Sequence, residues 1–580
     1  MSRTLTLSRA DRAPATETGA SVRDTGTAQS PVMVLLVLIA TLGILAYAGF
    51  LLNPANRGDI VPYVMVITAE SVLVVQALFS MWTILAGGRD PRDFAFHRAQ
   101  ATLFVMPSAH SADGVGERGR HSRDHPEQWP LRLSGRRLLV DVFITVYGED
   151  PATVRATVSA ASAMRGEHRT WVLDDGRSDE IKALAAELGV RYVRRLSSNG
   201  AKAGNVNHAL SIAKGEFFAI FDADFVPDPD FLYETLPFFV DEKVAFVQTP
   251  QTYGNLTTTI AIGAAYMQSV FYRFVQPGRN RFNAAFCVGT NVVFRRSAID
   301  DVGGLYTGSK SEDVWTSVLL HERGWKSIYI PDVLAIGDAP ETVEAYSKQQ
   351  LRWASGGFEI LLTHNPLSPR RRLTMDQRLQ YMVTATHYLS GICPLLLLLV
   401  PPLEIYFDLR PMNLGITVFT WLLYYAGFYA MQILLAWFTQ GSFRWQTLTL
   451  STVSFPIYVR ALLNVIAGRD QAWHVTGTRR ANSPFNFIIP QVLFFVFLAL
   501  TSVVAIWRDE SNGVFTLATA WNVTNTVILG AFLGTAMREA RRLRRPNPVR
   551  VPAAAVPTSA PLTVVARPNP VAATLAEVAP

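Results

Sequence analysis

The sequence alternates long apolar stretches with one long polar stretch, and this pattern constrains the fold more than any other feature. Apolar runs begin at Val32 and Ile60, and further runs occupy about 381–404, 414–438, 486–507 and 514–536. A run of about 20 apolar residues can cross the hydrocarbon core of a bilayer as a helix. Residues 137–366 contain no such run. The chain is therefore predicted to be a membrane protein with a globular domain between two groups of spans.

Basic residues indicate the orientation of these spans. Arg89, Arg92 and Arg98 follow the second apolar run, and a cluster from Arg538 to Arg545 follows the last. Because lysine and arginine collect on the cytoplasmic side, both termini and the central domain are predicted to be cytoplasmic, at the plasma membrane. The formal charge of +7 reflects this bias, and binding to nucleic acid is not expected.

One apolar stretch, residues 447–467, does not fit a simple span. It contains Pro456 and Arg460, and an arginine facing lipid near the middle of a span is costly. We therefore expect an interfacial or pocket-lining helix here, which leaves about six spans and keeps the final basic cluster cytoplasmic.

The predicted domain organisation has a boundary at each change in composition. It comprises a disordered cytoplasmic N-terminus (1–31), two transmembrane helices (32–86), a linker (87–136), an α/β domain (137–366), interfacial helices with four transmembrane helices and a loop at about 470–482 (367–537), and a disordered cytoplasmic tail (538–580).

Within the central domain, short β-rich runs alternate with helical segments. Strands are predicted at Leu138–Val146, Trp171–Leu173, Arg191–Val193 and Phe217–Phe221, with helices between them. Such alternation predicts a mostly parallel sheet, which binds its ligands beyond the carboxyl ends of the strands.

Two carboxylates lie at the end of one of these strands. Asp222 and Asp224 follow Phe217–Phe221 and are one residue apart, so both side chains can approach one cation. Oxygen-only ligation suits Mg or Mn shared with a phosphate substrate. Taken alone, the pattern equally describes a solvated turn before Pro227.

Other strand ends carry residues suited to binding a nucleotide. Tyr147, in a turn with Glu149, could stack on a base or simply end the strand. Asp174 could bind a base or ribose, although Asp-Gly sequences are common in turns. Lys202 could meet phosphate oxygens, or lie in a plain loop before a helix.

Later motifs suit group transfer. Asp313, at a predicted helix start, could be a general base or a capping residue. Gln349, Arg352 and Trp353 could bind a diphosphate and a sugar ring, or belong to a basic interfacial helix with a tryptophan anchor.

Four of these motifs occur in an order that resembles the processive, membrane-integrated family-2 glycosyltransferases, most closely the bacterial cellulose synthase type. They are Asp174-Asp175-Gly176, Asp222-Ala223-Asp224, Ser311-Glu312-Asp313 and Gln349-x-x-Arg352-Trp353. The resemblance covers about residues 138–480 and implies a GT-A fold beside a transmembrane channel.

The resemblance also implies roles for individual residues. Asp313 would be the catalytic base, Asp222 and Asp224 would hold the metal, and Cys287 and Trp353 would lie at the acceptor site. The nucleotide sugar would contact the following residues: Tyr147, Glu149, Asp174, Lys202, Asp222, Gln349 and Arg352. A gating loop would comprise Trp473, Val475, Thr476, Arg479 and Arg480.

The implied activity is polymerisation of a nucleotide sugar, with UDP-glucose as first choice, into a β-glucan such as cellulose that leaves through the protein's own channel. Synthesis of another polysaccharide (β-1,3- or mixed-linkage glucan, chitin or hyaluronan) and non-processive transfer to a lipid carrier remain alternatives. A transporter with a binding-only domain is a third, which the intact carboxylates disfavour. The expected partners are the UDP-sugar, the growing polysaccharide, the bilayer and envelope export subunits.

The chain departs from the family pattern at several positions. Ser311 replaces a threonine, Trp473 replaces the phenylalanine of the gating loop, and Thr478 stands where a lysine is usual. The segment after the last span is short and rich in Pro and Ala. We therefore expect no fused cyclic-di-GMP-binding domain.

Overall fold

A computed structural model gives the architecture of the greater part of the chain. It describes residues 31–87, 89–104, 125–309, 311–413, 418–421, 423, 433, 437, 444–469 and 482–544. The predicted span 414–438 and the gating-loop residues Trp473, Val475, Thr476, Arg479 and Arg480 lie largely or wholly outside these ranges. So do most of the two predicted disordered termini and part of the linker.

The described residues form short strands and many helices. The strands are β1 Arg132–Leu133, β2 Arg136–Arg137, β3 Val140–Val146, β4 Arg169–Asp174, β5 Arg191–Val193, β6 Phe217–Asp222, β7 Val226–Pro227, β8 Val244–Gln248, β9 Thr252–Tyr253, β10 Val292–Arg295, β11 Lys326–Tyr329 and β12 Ala335–Gly337.

The helices before the second group of membrane helices are α1 Pro31–Leu52, α2 Ile60–Ala86, α3 Phe94–Ala101, α4 Pro151–Ser162, α5 Asp179–Glu187, α6 Ala201–Ile212, α7 Phe231–Thr235, α8 Thr259–Val270, α9 Gln276–Asn280, α10 Arg296–Asp301, α11 Glu312–Glu322 and α12 Val343–Thr363. Those that follow are α13 Met375–Thr386, α14 Cys393–Phe407, α15 Val418–Trp421, α16 Trp445–Val453, α17 Phe455–Ile466, α18 Ile489–Asn512 and α19 Leu517–Arg544.

A seven-stranded sheet forms the centre of the globular domain. Its strand order is β11-β8-β10-β6-β3-β4-β5, and only β10 runs antiparallel to its neighbours. Buried aliphatic and aromatic side chains pack on both faces, with Val142 and Ile144 on one face and Phe143 and Phe218 on the other. Because helices cover both faces of the sheet, the sequences of its central strands are apolar along nearly their whole length. The expected mostly parallel α/β fold is confirmed.

Apolar helices flank this domain in sequence. Five helices among the described residues are long and apolar enough to cross a membrane, or six if the pair Met375–Leu389 and Cys393–Phe407, bent by 44°, is one span. The bend falls where proline follows the start of α14, since Pro394 cannot continue the hydrogen bonds of a preceding helix. This count is close to the expected six, but it includes Trp445–Ile466, which was not predicted as a span, and leaves out 414–438, most of which lies outside the described residues.

Contacts between loops tie the ends of these helices together. Asp59 N donates to Arg410 O, and Arg410 N donates to Asp59 Oδ2, both at 2.7 Å. Arg508 Nη1 donates to the carbonyl oxygen of Glu404 at 3.3 Å. These contacts place the α1–α2 turn and the ends of α14 and α18 at one level, at the opposite end of the spans from the sheet.

The segment Trp445–Ile466 differs in one respect from the expectation of an interfacial helix. Its length and composition would allow it to cross a membrane. However, Arg444 Nη2 donates to Tyr266 Oη at 2.8 Å, and Tyr458 Oη donates to Gln350 Oε1 at 3.0 Å, so its two halves pack on α8 and α12 of the globular domain. These contacts favour a position along the membrane-facing side of the domain, which stays a prediction.

Candidate functional site

The carboxyl ends of three adjacent strands bring the first site residues together. In the sheet register, Val146 lies opposite Asp174, and Thr145 lies opposite Asp222. Tyr147 and Glu149 follow directly in the turn after β3, where Tyr147 N donates to Glu149 Oε2 at 2.7 Å. The parallel alignment of β3, β4 and β6 therefore places these four side chains on one edge of the sheet.

Asp174 organises the turn at the end of β4. It is fully buried, and its carboxylate accepts hydrogen bonds from Arg177 N at 2.9 Å, Ser178 N at 2.8 Å and Tyr192 Oη at 2.8 Å. A Cβ at Gly176 would lie 2.9 Å from Gly148 N, so the turn after β4 packs directly on the turn after β3. Glycine is required here by close backbone approach rather than by its dihedral angles.

Arg195, which the sequence motifs do not include, supports the neighbouring carboxylate. Its guanidinium donates to both oxygens of Asp175, at 2.6 and 2.5 Å, and to the carbonyl oxygens of Asn199 and Ala201. Both side chains of this pair are largely buried. A bidentate pair of this kind fixes geometry strongly, so Arg195 holds the loop that leads into α6 and Lys202.

Lys202 and Asp222 form a close ion pair at the centre of the site. Asp222 also accepts from Thr145 Oγ1 at 3.1 Å, and Asp222 N donates to Thr290 Oγ1 at 2.9 Å. Burial alone would lower the pKa of Lys202, but the Asp222 carboxylate, helped by Glu312 and Asp313, raises it above its ordinary value. The lysine therefore stays charged beside these carboxylates.

Asp224 is half-buried and lies near other carboxylates. Burial, together with the negative charges of Asp222, Asp338 and Glu149, raises the pKa of Asp224 to about 8. Burial also raises the pKa of Glu149. Like charges so placed are stabilised by a cation, and hard oxygen ligands suit a divalent one. Within the described ranges, no group of three or more His, Cys, Asp and Glu side chains is arranged to hold a metal.

The loop before β10 forms a second wall. Cys287 is 2% exposed, and its N–H donates to Ser317 Oγ at 2.8 Å. Val288 N donates to Gln248 Oε1 at 2.9 Å, and Gln248 Nε2 donates to Thr290 O at 2.8 Å. The predicted acceptor residue Cys287 thus lies beneath the surface, and the fully buried Gln248 fixes the loop above it.

Asp313 meets Lys202 across this loop. A Cβ at Gly289 would lie 3.5 Å from Asp313 Oδ2 and 3.6 Å from Lys202 Nζ, so the glycine leaves the space between the two groups open. Asp313 Oδ1 accepts from Val314 N at 2.8 Å, in the first turn of α11. Burial raises the pKa of Asp313, while the Val314 N–H and the charges of Lys202 and Arg352 oppose the rise.

Helix α12 closes the site from the side of the membrane helices. Its Gly356 packs against Ser311 so closely that a Cβ would overlap Ser311 Oγ and Cβ. Arg352 lies near Asp313 and Glu312, and its positive charge opposes the rise that burial causes in the pKa of both carboxylates. Gln349 Oε1 is buried and has no hydrogen-bond partner among the described residues. Trp353 is half-buried on the same helix.

The structure therefore gathers most of the predicted site residues into one cleft. Of the predicted set, the gating-loop residues lie outside the described ranges. Sequence reasoning did not identify Arg195, Tyr192, Ser317 or Asp338. In the sequence, Arg195 stands out only as one of two adjacent arginines before the Lys202 loop. Its partner Asp175 lies 20 residues earlier in the chain, so local spacing does not reveal the pair.

Comparison with known proteins finds similar sequences for the central part of the chain. Residues 217–440 match the family described as "Glycosyl transferase family group 2". The cellulose synthase catalytic subunit (UDP-forming) of Pseudomonas fluorescens (strain SBW25) is 36% identical over 292 residues, which are 48% of this chain and 38% of that protein. This chain is therefore similar to family-2 glycosyltransferases of the cellulose synthase type. The predicted resemblance is confirmed.

Other relatives extend the match. The cellulose synthase catalytic subunit of Xanthomonas axonopodis pv. citri (strain 306) is 37% identical over 264 residues, or 44% of this chain and 36% of that protein. Cellulose synthase 2 of Novacetimonas hansenii is 31% identical over 445 residues, or 73% of this chain and 27% of that protein. The matched region thus spans well under half the length of each curated relative.

Among solved structures, a mannosyltransferase from Pyrobaculum calidifontis is 15% identical to this chain, with a TM-score of 0.44, and the match covers 69% of this chain and all of that chain.

Proposed function

We propose that this glycosyltransferase is processive and inverting, and that it polymerises UDP-glucose into a β-glucan such as cellulose. The observation that carries the proposal is the meeting of Lys202 and Asp313 across Gly289, beside Asp222 at the strand edge. A base, a compensating cation and a carboxylate pair for a metal are the groups that an inverting sugar transfer needs. The cellulose synthase names of the relatives support the choice of product.

In the proposed reaction, Asp313 is the base. Its carboxylate takes the proton of the acceptor hydroxyl as that oxygen attacks the anomeric carbon of the donor, and the bond between that carbon and the diphosphate breaks. Val314 N–H holds one carboxylate oxygen, which leaves Oδ2 for the acceptor. One base suffices, because inversion requires no second carboxylate as nucleophile.

The leaving diphosphate carries the negative charge that the site must stabilise. Lys202 and Arg352 are the cations whose charges act on Asp313, and both are proposed to contact the diphosphate. Asp222 and Asp224 would hold Mg or Mn, with the donor's phosphate oxygens and water completing its coordination. When bound, the metal would neutralise charge on the departing diphosphate.

The remaining predicted roles follow the same arrangement. Tyr147, Glu149 and Asp174 are proposed to form the nucleotide side of the cleft, with Asp174 acting through the turn that it holds. Gln349 is proposed to bind the donor, and Trp353 and Cys287 are proposed to form the acceptor side. A gating loop of Trp473, Val475, Thr476, Arg479 and Arg480 is proposed to close over the nucleotide.

The membrane helices give the proposed product a route out. We propose a plasma-membrane protein with its catalytic domain and termini on the cytoplasmic side, where the nucleotide sugar is made. The polymer would leave through a channel beside the domain and pass to envelope export subunits. The apolar helices and the basic residues after α2 and within α19 support this orientation.

Release of UDP by the purified protein tests the proposal. UDP-glucose, UDP-N-acetylglucosamine, UDP-glucuronate and GDP-mannose would be supplied singly with Mg or Mn, and the product would be digested with linkage-specific glucanases. Asp313→Asn should lose at least about 100-fold in rate, since general base catalysis contributes 10²–10⁴-fold. Asp300→Asn, which alters an exposed carboxylate paired with Arg296, is the matched control.

The outcomes separate the alternatives. UDP release from UDP-glucose with a digestible β-glucan supports the proposal. Release from another donor alone would replace the product and keep the mechanism. A single sugar on a lipid would replace polymerisation by lipid-carrier transfer, and equal rates for Asp313→Asn and Asp300→Asn would overturn the assigned base.

A further inference from the structure

A large cavity lies between the globular domain and the membrane helices, outside the catalytic cleft. Its volume is about 780 Å³, and its described walls come from α12, α17 and the start of α18. Three cations line it: Lys348, Arg460 and Arg469. The catalytic groups Lys202, Asp222 and Asp313 are absent from its described lining.

Helical periodicity explains why these side chains face one space. Glu344 and Lys348 are four residues apart on α12, and Pro456, Arg460 and Asn464 follow the same spacing on α17. Residues at this spacing lie on one face of a helix. The two faces oppose each other because α17 packs along α12, where Tyr458 Oη donates to Gln350 Oε1 at 3.0 Å.

The cavity carries excess positive charge. Lys348 pairs with Glu344 at 2.8 Å, and Glu344 also accepts from Asn482 N and Nδ2, each at 2.8 Å. Arg460 and Arg469 form no ion pair with any described residue, so the described lining of the cavity holds three cations and one carboxylate. Guanidinium groups bind phosphate oxygens in a bidentate geometry.

An apolar track continues from the mouth of this cavity. Ile489 and Pro490 line the cavity, and Leu351, Ile457 and Phe487 form its apolar side. Beyond them, Leu493, Val496 and Leu500 are 65%, 48% and 62% exposed along α18, a candidate membrane span. Exposed aliphatic side chains along a span face lipid chains.

We propose that this cavity binds one anionic phospholipid, with its phosphate between Arg460, Arg469 and Lys348 and an acyl chain along α18. A soluble anion would use the cations alone, and the apolar track would then have no role. The site goes beyond the proposed function and depends only on the protein lying in a bilayer. Because the headgroup would join α17 to α12, it would also brace the helix that carries Gln349, Arg352 and Trp353.

Lipid retention by the full chain tests this site directly. The delipidated protein in detergent would be titrated with phosphatidylglycerol and, separately, phosphatidylcholine, and bound lipid would be counted by native mass spectrometry. We expect preferential binding of one phosphatidylglycerol, weakened at least about 10-fold in the double variant Arg460→Gln, Arg469→Gln. Arg538→Gln, at an exposed arginine of α19, should leave binding unchanged.

Two further arms keep the result decisive. Lys348→Gln alone should weaken binding in the same direction if the double variant fails to fold. Displacement of the bound phospholipid by inorganic phosphate or UDP at millimolar concentration would identify a soluble anion site instead. Equal retention of phosphatidylglycerol by wild type and the charge variants would overturn the proposal, whatever the enzyme activity.

Discussion

At the scale of single residues, the site is a balance of partly buried charges around Gly289. Asp313 and Lys202 approach each other over this glycine, and Lys202 also pairs with Asp222. Glu312 adds a further partly buried carboxylate, and desolvation together with the Asp313 charge raises the pKa of Glu312 to about 7. The arrangement tolerates these carboxylates because Lys202 and Arg352 offset their charge.

The raised pKa of Asp313 predicts how activity depends on pH. A base works only when deprotonated, so kcat/KM, which reports the groups of the free enzyme, should rise with pH through a pKa of Asp313 above its ordinary value. Measuring kcat/KM from pH 4 upward, with folding checked by fluorescence at each pH, tests this. A rate already maximal at the lowest pH where the protein is folded would contradict it.

Arg195 is predicted to be a positioning residue. Arg195→Lys should lower kcat for UDP release at least about 10-fold, although the positive charge is kept. A lysine cannot form the bidentate pair with Asp175 and also donate to the carbonyl oxygens of Asn199 and Ala201. Kinetics with UDP-glucose give kcat and KM separately. The control is Arg155→Lys, which alters an exposed bidentate pair with Glu187. Equal effects in the two variants would remove Arg195 from this role.

The site residues that sequence alone identified share one property. Asp222, Asp224 and Asp313 follow or begin regular elements, so their positions follow from strand and helix periodicity and from the family pattern. Gln248 and Arg195 could not be assigned roles in this way, because their partners come from distant segments. Asp174 was identified from the sequence, but the hydrogen bonds by which it holds the turn after β4 became apparent only in the structure.

At the scale of elements, the fit of α12 on α11 sets the geometry of the base. Gly356 packs so closely against Ser311 that a side chain at position 356 would overlap it. Ser311 directly precedes α11, the helix that carries Asp313. Four of the seven strands of the main sheet were predicted to within two residues, and an apolar run marks the one at Phe217–Asp222. The contact between α11 and α12 was not predictable, since a glycine within a helix does not reveal its neighbour.

Gly356→Ala is predicted to displace the base. The added methyl would overlap Ser311, and overpacking of this kind costs about 1–3 kcal/mol in stability. A displacement of about 1 Å at a catalytic group can lower the rate about 100-fold. We therefore expect kcat to fall by a larger factor than the fraction of folded protein. Measurements of kcat and of the melting temperature test this prediction.

Gly534→Ala is the matched control, because nothing lies within 4 Å of the position that its Cβ would take. It should leave kcat unchanged and should not lower the melting temperature, because alanine is favoured over glycine within a helix. Unaltered kcat in Gly356→Ala would show that the α11–α12 contact does not position Asp313.

At the scale of the whole molecule, two layers of contacts join the ends of the apolar helices. Asp59 with Arg410, and Arg508 with Glu404, join the helix ends farthest from the sheet. At the opposite end, Val343 N donates to Glu539 Oε2 at 3.0 Å, which ties α19 to the start of α12. Hydropathy predicted the spans, but the bend before α14 and the packing of Trp445–Ile466 on the domain depend on tertiary contacts.

Single-cysteine labelling tests the proposed orientation of the chain. The native Cys287 and Cys393 are buried, so they should react little with a membrane-impermeant maleimide. In intact cells, Asn512→Cys should be labelled from outside, while Lys182→Cys in the catalytic domain should be labelled only after permeabilisation. Labelling of Lys182→Cys in intact, unpermeabilised cells would reverse the proposed topology.

Product length during early turnover tests the central claim, processive polymerisation at the Asp313 site, most directly. The purified protein would receive limiting labelled UDP-glucose, and products would be sized as a function of the total UDP released. A processive enzyme should give long glucan chains from the first turnovers, with length independent of enzyme concentration, and Asp313→Asn should give none. Short products that lengthen uniformly, or single sugars on an acceptor, would contradict the claim.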